Sequence, residues 1–130
     1  MQDKRYPLAQ CPISGSLERV GERWSILILR ECFYGATRFD EFQQRLGVAP
    51  NILTRRLNAL VDEGLLERRE YCKHPPRCEY LLTEVGRDFR PVLLALRNWG
   101  ARHFTPQGET VASNEIPPSV GTARSHEHEH

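Results

Sequence analysis

The sequence predicts a mainly α-helical domain carrying one small β-hairpin, and three observations lead there. Apolar residues recur at three- and four-residue spacing through most of residues 16–104, the period of an α-helix with one buried face. Between Leu65 and Thr83 the pattern changes to two strand-like runs around a proline-containing loop. Two of the helical stretches are separated by only Gly47-Val48-Ala49, which is the spacing of a helix-turn-helix.

Residues 1–15 are expected to form an irregular N-terminal arm, because Pro7, Pro12 and Gly15 interrupt any long helix. Tyr6, Leu8 and Ile13 give the arm apolar groups that can dock on a core or on a second subunit. Ser16 suits an N-cap, and Leu17, Val20, Trp24, Leu27, Ile28 and Cys32 continue a helical period toward Gly35. This first helix is apolar on more than one side at Trp24-Ser25-Ile26-Leu27-Ile28-Leu29 and should lie centrally, with Trp24 in the core.

A second helix is expected over Arg38–Leu46, capped by Thr37 and burying Phe39, Phe42 and Leu46. The third opens at Pro50, carries Leu53, Leu57 and Leu60 on one face with Val61 beside them, and stops at Gly64. Its other face presents Pro50, Asn51, Thr54, Arg55 and Asn58. Amides, a hydroxyl and a cation on one face fit base edges and phosphates in a DNA major groove, and they also fit an ordinary solvated helix face. Arg56 falls between the two faces.

Leu65–Tyr71 and Cys78–Thr83 read as strands flanking the loop Cys72-Lys73-His74-Pro75-Pro76-Arg77. A hairpin beside a reading helix is a wing, and Lys73 and Arg77 are placed to meet phosphates or the minor groove while the helix occupies the major groove. Arg38, at the start of the second helix, is a candidate clamp on the phosphate backbone. The architecture predicted is therefore a winged helix-turn-helix.

From Thr83 onward Val85, Phe89, Val92, Leu93, Leu96, Trp99 and Phe104 describe a long amphipathic helix, kinked at Pro91. It has more apolar groups than a three-helix core needs. With the arm, the surplus predicts a homodimer joined through the N-terminal arm and this C-terminal helix, with two reading helices on one face of a duplex. Residues 16–104 thus form the domain. Residues 105–130 have three prolines, no period and few large apolar groups, and are expected to be a disordered tail. The closing His126-Glu127-His128-Glu129-His130 resembles an affinity tag or a weak metal-binding tail and is left out of the functional reading.

Charge and cysteine content narrow the function. Residues 1–104 carry a net +4 and residues 105–130 a net −3, so the folded part has a mild basic bias compatible with nucleic acid. The chain has no apolar run long enough to span a membrane and its first ten residues lack a signal-peptide core, so a cytoplasmic location is expected. Cys11, Cys32, Cys72 and Cys78 are then expected to be reduced. Cys32 falls on an apolar helix face and should be inert. Cys72 and Cys78 bracket the wing tip and invite either a cross-hairpin disulfide or, most simply, two unpaired thiols; a zinc site with His74 would lack a fourth ligand. No cofactor is expected. The chain carries no Ser/His/Asp set, Gly-rich phosphate loop or closed metal motif, so an enzyme is not expected. A winged-helix protein–protein adaptor is the other reading, disfavoured by the basic, amide-bearing face.

Taken in order, Cys11-Pro12, Gly21-Glu22-Arg23-Trp24-Ser25-Ile26-Leu27-Ile28-Leu29-Arg30, Arg38-Phe39, Pro50, Leu53, Arg56-Leu57 and Gly64-Leu65 resemble the HxlR family of bacterial winged-helix regulators, relatives of the MarR type. The resemblance continues through Pro76-Arg77-Cys78-Glu79-Tyr80-Leu81-Leu82-Thr83, Gly86-Arg87 and Pro91-Val92-Leu93 to Trp99-Gly100. It implies a dimeric transcription regulator, a repressor by preference, on an inverted-repeat operator in double-stranded DNA. It also implies a response to oxidants, electrophiles or a small ligand, with Cys11 at the Cys-Pro position that carries a sensor thiol in several members. Such a signal would act by changing the spacing of the two reading helices, and a small ligand would lodge between the arm and the long helix. Two positions depart from the family pattern: Ala49 stands where a capping Ser is common, and Cys78 where an aliphatic strand residue is usual.

Overall fold

The computed structural model describes residues 7–104 together with 116–117. After a short 3-10 turn at Leu8–Gln10, the helices are α1 (Pro12–Val20), α2 (Arg23–Phe33), α3 (Phe39–Leu46) and α4 (Pro50–Asp62). An antiparallel hairpin follows, β1 (Leu66–Lys73) with β2 (Pro76–Leu82), and then α5 (Glu84–Arg87) and α6 (Arg90–Phe104). The mainly helical, single-hairpin class is the one the sequence predicts.

The continuous helix expected from Ser16 to Gly35 is two helices. Glu22 is extended, and its Oε1 accepts from the backbone N–H groups of Trp24 (2.8 Å) and Ser25 (3.1 Å), which starts α2 afresh. Gly21 permits the break, since a Cβ there would stand 2.5 Å from the Leu17 carbonyl oxygen. The apolar period runs through the break because both helices bury the same side, so spacing alone concealed it. Ser16 is no cap either. It lies inside α1, donating its hydroxyl to the Pro12 carbonyl oxygen at 2.8 Å, and the helix starts at Pro12, within the stretch expected to be an irregular arm. The rest of that arm's expected apolar set includes Tyr6, which lies outside the described residues.

The core forms where α2 crosses α3 and α4. Ile28, Leu29, Cys32 and Phe33 of α2 meet Phe42 of α3 and Leu53, Leu57 and Leu60 of α4, all of them buried. Leu65, Leu66 and Leu82 close it from the hairpin side and Leu93 from α6. Trp24 packs against this core from its edge, half-buried. At about 1.5–3 kcal/mol for each fully buried leucine, the three α4 leucines are the main fixture of that helix.

Thr37 does not cap α3. Arg38 takes the cap position, and Glu41 reaches back so that its Oε1 accepts from the N–H groups of Thr37 (2.8 Å) and Arg38 (3.0 Å). Gly47 then turns the chain with φ +65°, a conformation glycine adopts without a Cβ clash, and three residues later α4 begins. A buried carboxylate stitches α2 to α3: Glu31 pairs with Arg30 and, at 3.6 Å, with Arg45.

The long helix expected after Thr83 is also divided. Thr83 caps α5, accepting from Gly86 N–H at 3.1 Å while its hydroxyl donates to the Gly64 carbonyl oxygen at 2.6 Å. Pro91 then falls in the first turn of α6, where its missing N–H costs nothing, and so it opens a helix instead of kinking one. Of the stretch expected to be disordered, residues 116–117 are described, and they are docked. Ile116 is buried in the core, and the Arg90 guanidinium donates to its carbonyl oxygen, from Nε at 2.8 Å, and to that of Pro117 at 3.3 Å. An isoleucine rare for its tail provides the anchor. The remainder, with its His/Glu run, lies outside the described residues.

Replacing Ile116 with alanine removes a buried side chain and is expected to lower unfolding stability by about 2–4 kcal/mol, measured by chemical denaturation; an unchanged midpoint would detach Ile116 from the core.

Candidate nucleic-acid interface

The burial of Leu53, Leu57 and Leu60 leaves the opposite side of α4 in solvent. Pro50, Asn51, Thr54, Arg55 and Asn58 are all exposed and share one face, as their spacing predicts, while Arg56 is half-buried at the boundary. Ala49 supplies no side-chain cap. The first-turn amide groups are therefore open to water or to an anion, the arrangement that a phosphate satisfies.

The hairpin is tighter than the expected loop. Lys73 pairs with Pro76 and Arg77 with Cys72, so only His74-Pro75 forms the tip and both cations stand on strands, exposed. The register slips at Tyr71, a bulge that bends the strand. Cys78 faces Glu70 across the ladder while Cys72 faces Arg77, so the two thiols are not cross-strand partners, and both are free and half-buried.

Arg38 joins the wing to the second helix. Its guanidinium lies over the Tyr71 ring at 4.2 Å from the centroid, and its backbone bridges to Glu79, next to a Tyr80 N–H bond to the Thr37 carbonyl oxygen at 2.6 Å. A small cleft of about 190 Å3 lined by Arg38, Tyr71, Pro76, Arg77 and Cys78 results. Arg38 and Arg77 therefore share one edge of the wing, and Lys73 stands nearer the tip.

Sequence reasoning missed Arg68. On β1 it lies opposite Tyr80, with its guanidinium 5.6 Å from that ring, and it donates to Asn58 Oδ1 on α4. Interaction with the Tyr80 hydroxyl raises its pKa above the usual guanidinium value, so it stays charged. A signal was present: Arg68 is two residues from buried Leu66, and strand alternation puts both on the face toward α4.

Cys11 precedes α1 at its N-cap position, half-buried, without a side-chain capping bond. Cys32 is enclosed by the core, and burial, with Glu31 beside it, pushes its thiol far above the ordinary range, which keeps it unreactive. Between α1, α5 and α6 runs an open groove of about 450 Å3, lined by Ile13, Leu17, Val85, Phe89, Val92 and Leu96 among others. Ile13 is 70 % exposed and Leu17 58 %, and at the far end of α6 Trp99 and Phe104 stand edge to face at 5.2 Å, both largely in solvent. No described helix is long and apolar enough to cross a membrane.

The chain is similar in sequence and fold to known proteins. The chain is 42 % identical over 100 residues to an uncharacterized HTH-type transcriptional regulator of Mycobacterium bovis, covering 76 % of this chain and 63 % of that protein. It thus spans less than two thirds of that relative's length. Among solved structures, the redox regulator HypR in its oxidized form is similar with 32 % identity and a TM-score of 0.65, over 72 % of this chain and 97 % of that one. The reduced form of the transcriptional regulator YodB from B. subtilis is similar with 27 % identity and a TM-score of 0.63, over 75 % and 97 %. The profile of the HxlR-like helix-turn-helix family matches residues 19–108, from the end of α1 past the end of α6. With a winged helix-turn-helix built from those residues and a profile spanning most of its length, the chain belongs to the HxlR-like helix-turn-helix family.

Proposed function

We propose that the chain is a homodimeric, sequence-specific regulator of transcription that represses by occupying an inverted-repeat operator. The observation that carries this reading is the continuous face of α4 on which Asn51, Thr54, Arg55 and Asn58 stand side by side, all exposed among the described residues. Similarity to the M. bovis relative and to YodB, both transcriptional regulators, supports it.

In this reading α4 enters the major groove. Asn51 pairs with an adenine edge, Arg55 with guanine or a phosphate, and Thr54 and Asn58 complete the base contacts. Pro50 opens the helix toward the backbone, where the uncapped amides receive a phosphate oxygen. Arg38, Lys73 and Arg77 hold flanking phosphates, with the wing tip over the adjacent minor groove. The exposed apolar groove between α1 and α6 receives the same surfaces of a second copy, which sets the distance between the two reading helices.

Release follows from a change in that distance. Cys11 stands at the start of α1, beside the proposed dimer surface, so modification of its thiol by an oxidant or electrophile would disturb the contact, as would a small ligand in the same groove. Similarity to HypR, a redox regulator, supports the thiol route. Cys72 and Cys78 on the wing are secondary candidates, since a modified thiol there would alter the groove contact directly.

Arg55→Ala is expected to cut discrimination between operator and unrelated duplex roughly five- to a hundredfold. Arg77→Ala should instead weaken binding to all sequences and reduce the salt slope by about one. Both are measured by fluorescence anisotropy across a salt series, and equal behaviour of the two variants would contradict the division into reading and clamping residues. Cys11→Ser should abolish release by diamide or quinone while leaving DNA affinity within about twofold; unchanged release would remove Cys11 from the sensing role.

A further inference from the structure

The contact between the hairpin and α4 bears on which bases the helix selects. Asn58 is exposed on the reading face and its Oδ1 accepts from an Arg68 Nη2 N–H group. A guanidinium offers donors only, so this bond fixes which way round the amide lies: flipped, it would set the amide N–H2 against another donor. Arg68 in turn is held by its cross-strand partner Tyr80, whose ring lies under the guanidinium. The oxygen keeps a second lone pair, but the bond turns it toward the cationic wing, and the N–H2 group on the other side of the amide is what Asn58 offers outward.

An asparagine with both amide atoms free pairs bidentately with adenine, accepting from N6 and donating to N7. With its oxygen turned to Arg68, Asn58 does not present the acceptor half of that pair. Its N–H donors match the two major-groove acceptors of guanine, N7 and O6, and oppose the N4 amino group of cytosine. We infer that Arg68 is a specificity-determining positioning residue: by holding Asn58 Oδ1 toward the wing it makes Asn58 present its N–H donors to the groove and select guanine over adenine at its base pair. The inference rests on the assignment of α4 as the DNA-reading helix and adds to it a rule for one position of the operator. It also separates two asparagines on one helix, because Asn51 has no such partner among the described residues and keeps the adenine-type pairing.

The test is selection of bound sequences from a random duplex library, followed by competition between operators that differ at single base pairs. Four proteins are compared: the wild type, Arg68→Met, Asn58→Ala and the double variant. Methionine keeps an unbranched stem against Tyr80 and removes the donor, and thermal unfolding of each variant confirms that the fold persists. At one base pair of each half-site the wild type should prefer guanine over adenine by at least about fivefold, the lower end of a good base contact. Arg68→Met should bring that ratio to parity or invert it, with other positions unchanged. Asn58→Ala should flatten preference at the same position, and the double variant should match Asn58→Ala.

Three outcomes overturn the inference while sparing the DNA-reading assignment. A guanine preference that survives in Asn58→Ala makes Arg68 itself the base contact. Uniform weakening by Arg68→Met with a lower salt slope makes it a phosphate contact. An unchanged profile in Arg68→Met shows that the bond does not shape recognition. A wild-type protein that selects no sequence at all overturns both the assignment and the inference.

Discussion

Leu53, Leu57 and Leu60 lock α4 against α2 and α3, and the rotation this imposes is the constraint on which the rest of the site depends. At 100° per residue, a helix whose apolar stripe is fully engaged has no freedom in what it shows to solvent. Asn51, Thr54, Arg55 and Asn58 are outside because the three leucines are inside. The short connection through Gly47 fixes where the helix begins, so position and rotation are set by the same packed centre.

Polar contacts then orient the wing against that centre. Arg68 ties β1 to Asn58, Arg38 lies over Tyr71, and the Thr37 carbonyl oxygen accepts from Tyr80 N–H, so the hairpin is held at both its α4 side and its α3 side. An exposed cation–π contact such as that of Arg38 on Tyr71 contributes on the order of 0.5–1 kcal/mol, and a hydrogen bond a similar amount. They are too weak to hold the fold together and are well suited to fixing an angle. The buried Glu31, paired with Arg30 and Arg45, does the same between α2 and α3 with more at stake, since its carboxylate has lost its water.

Much of this was legible in the sequence because it is written in local periods. The spacing of the α4 leucines gave the exposed polar face, the proline-containing loop between two strand-like runs gave the hairpin, and Gly47 gave the turn. Local periods also account for the misreadings. The breaks at Gly21-Glu22 and at Asp88-Phe89 leave the apolar rhythm nearly intact, so two helices looked like one at both places. What joins distant segments depends on tertiary placement: Glu31 with Arg45 and Ile116 returning to the core under Arg90 left no local trace, and Arg68 with Asn58 left only the strand alternation from Leu66. Family resemblance supplied the expectations of a Cys11 sensor and an inverted-repeat operator, and no spacing in the chain would have supplied either.

The central claim is that the outward face of α4 is where DNA binds, and hydrogen exchange of the full chain with and without a duplex carrying its operator tests it most directly. Because Ala49 offers no cap, the Asn51 and Ile52 amides at the start of α4 should exchange fast in the free protein and slow markedly on binding, together with amides around the hairpin tip. Protection confined to other surfaces, with the start of α4 and the wing unchanged, would contradict the account.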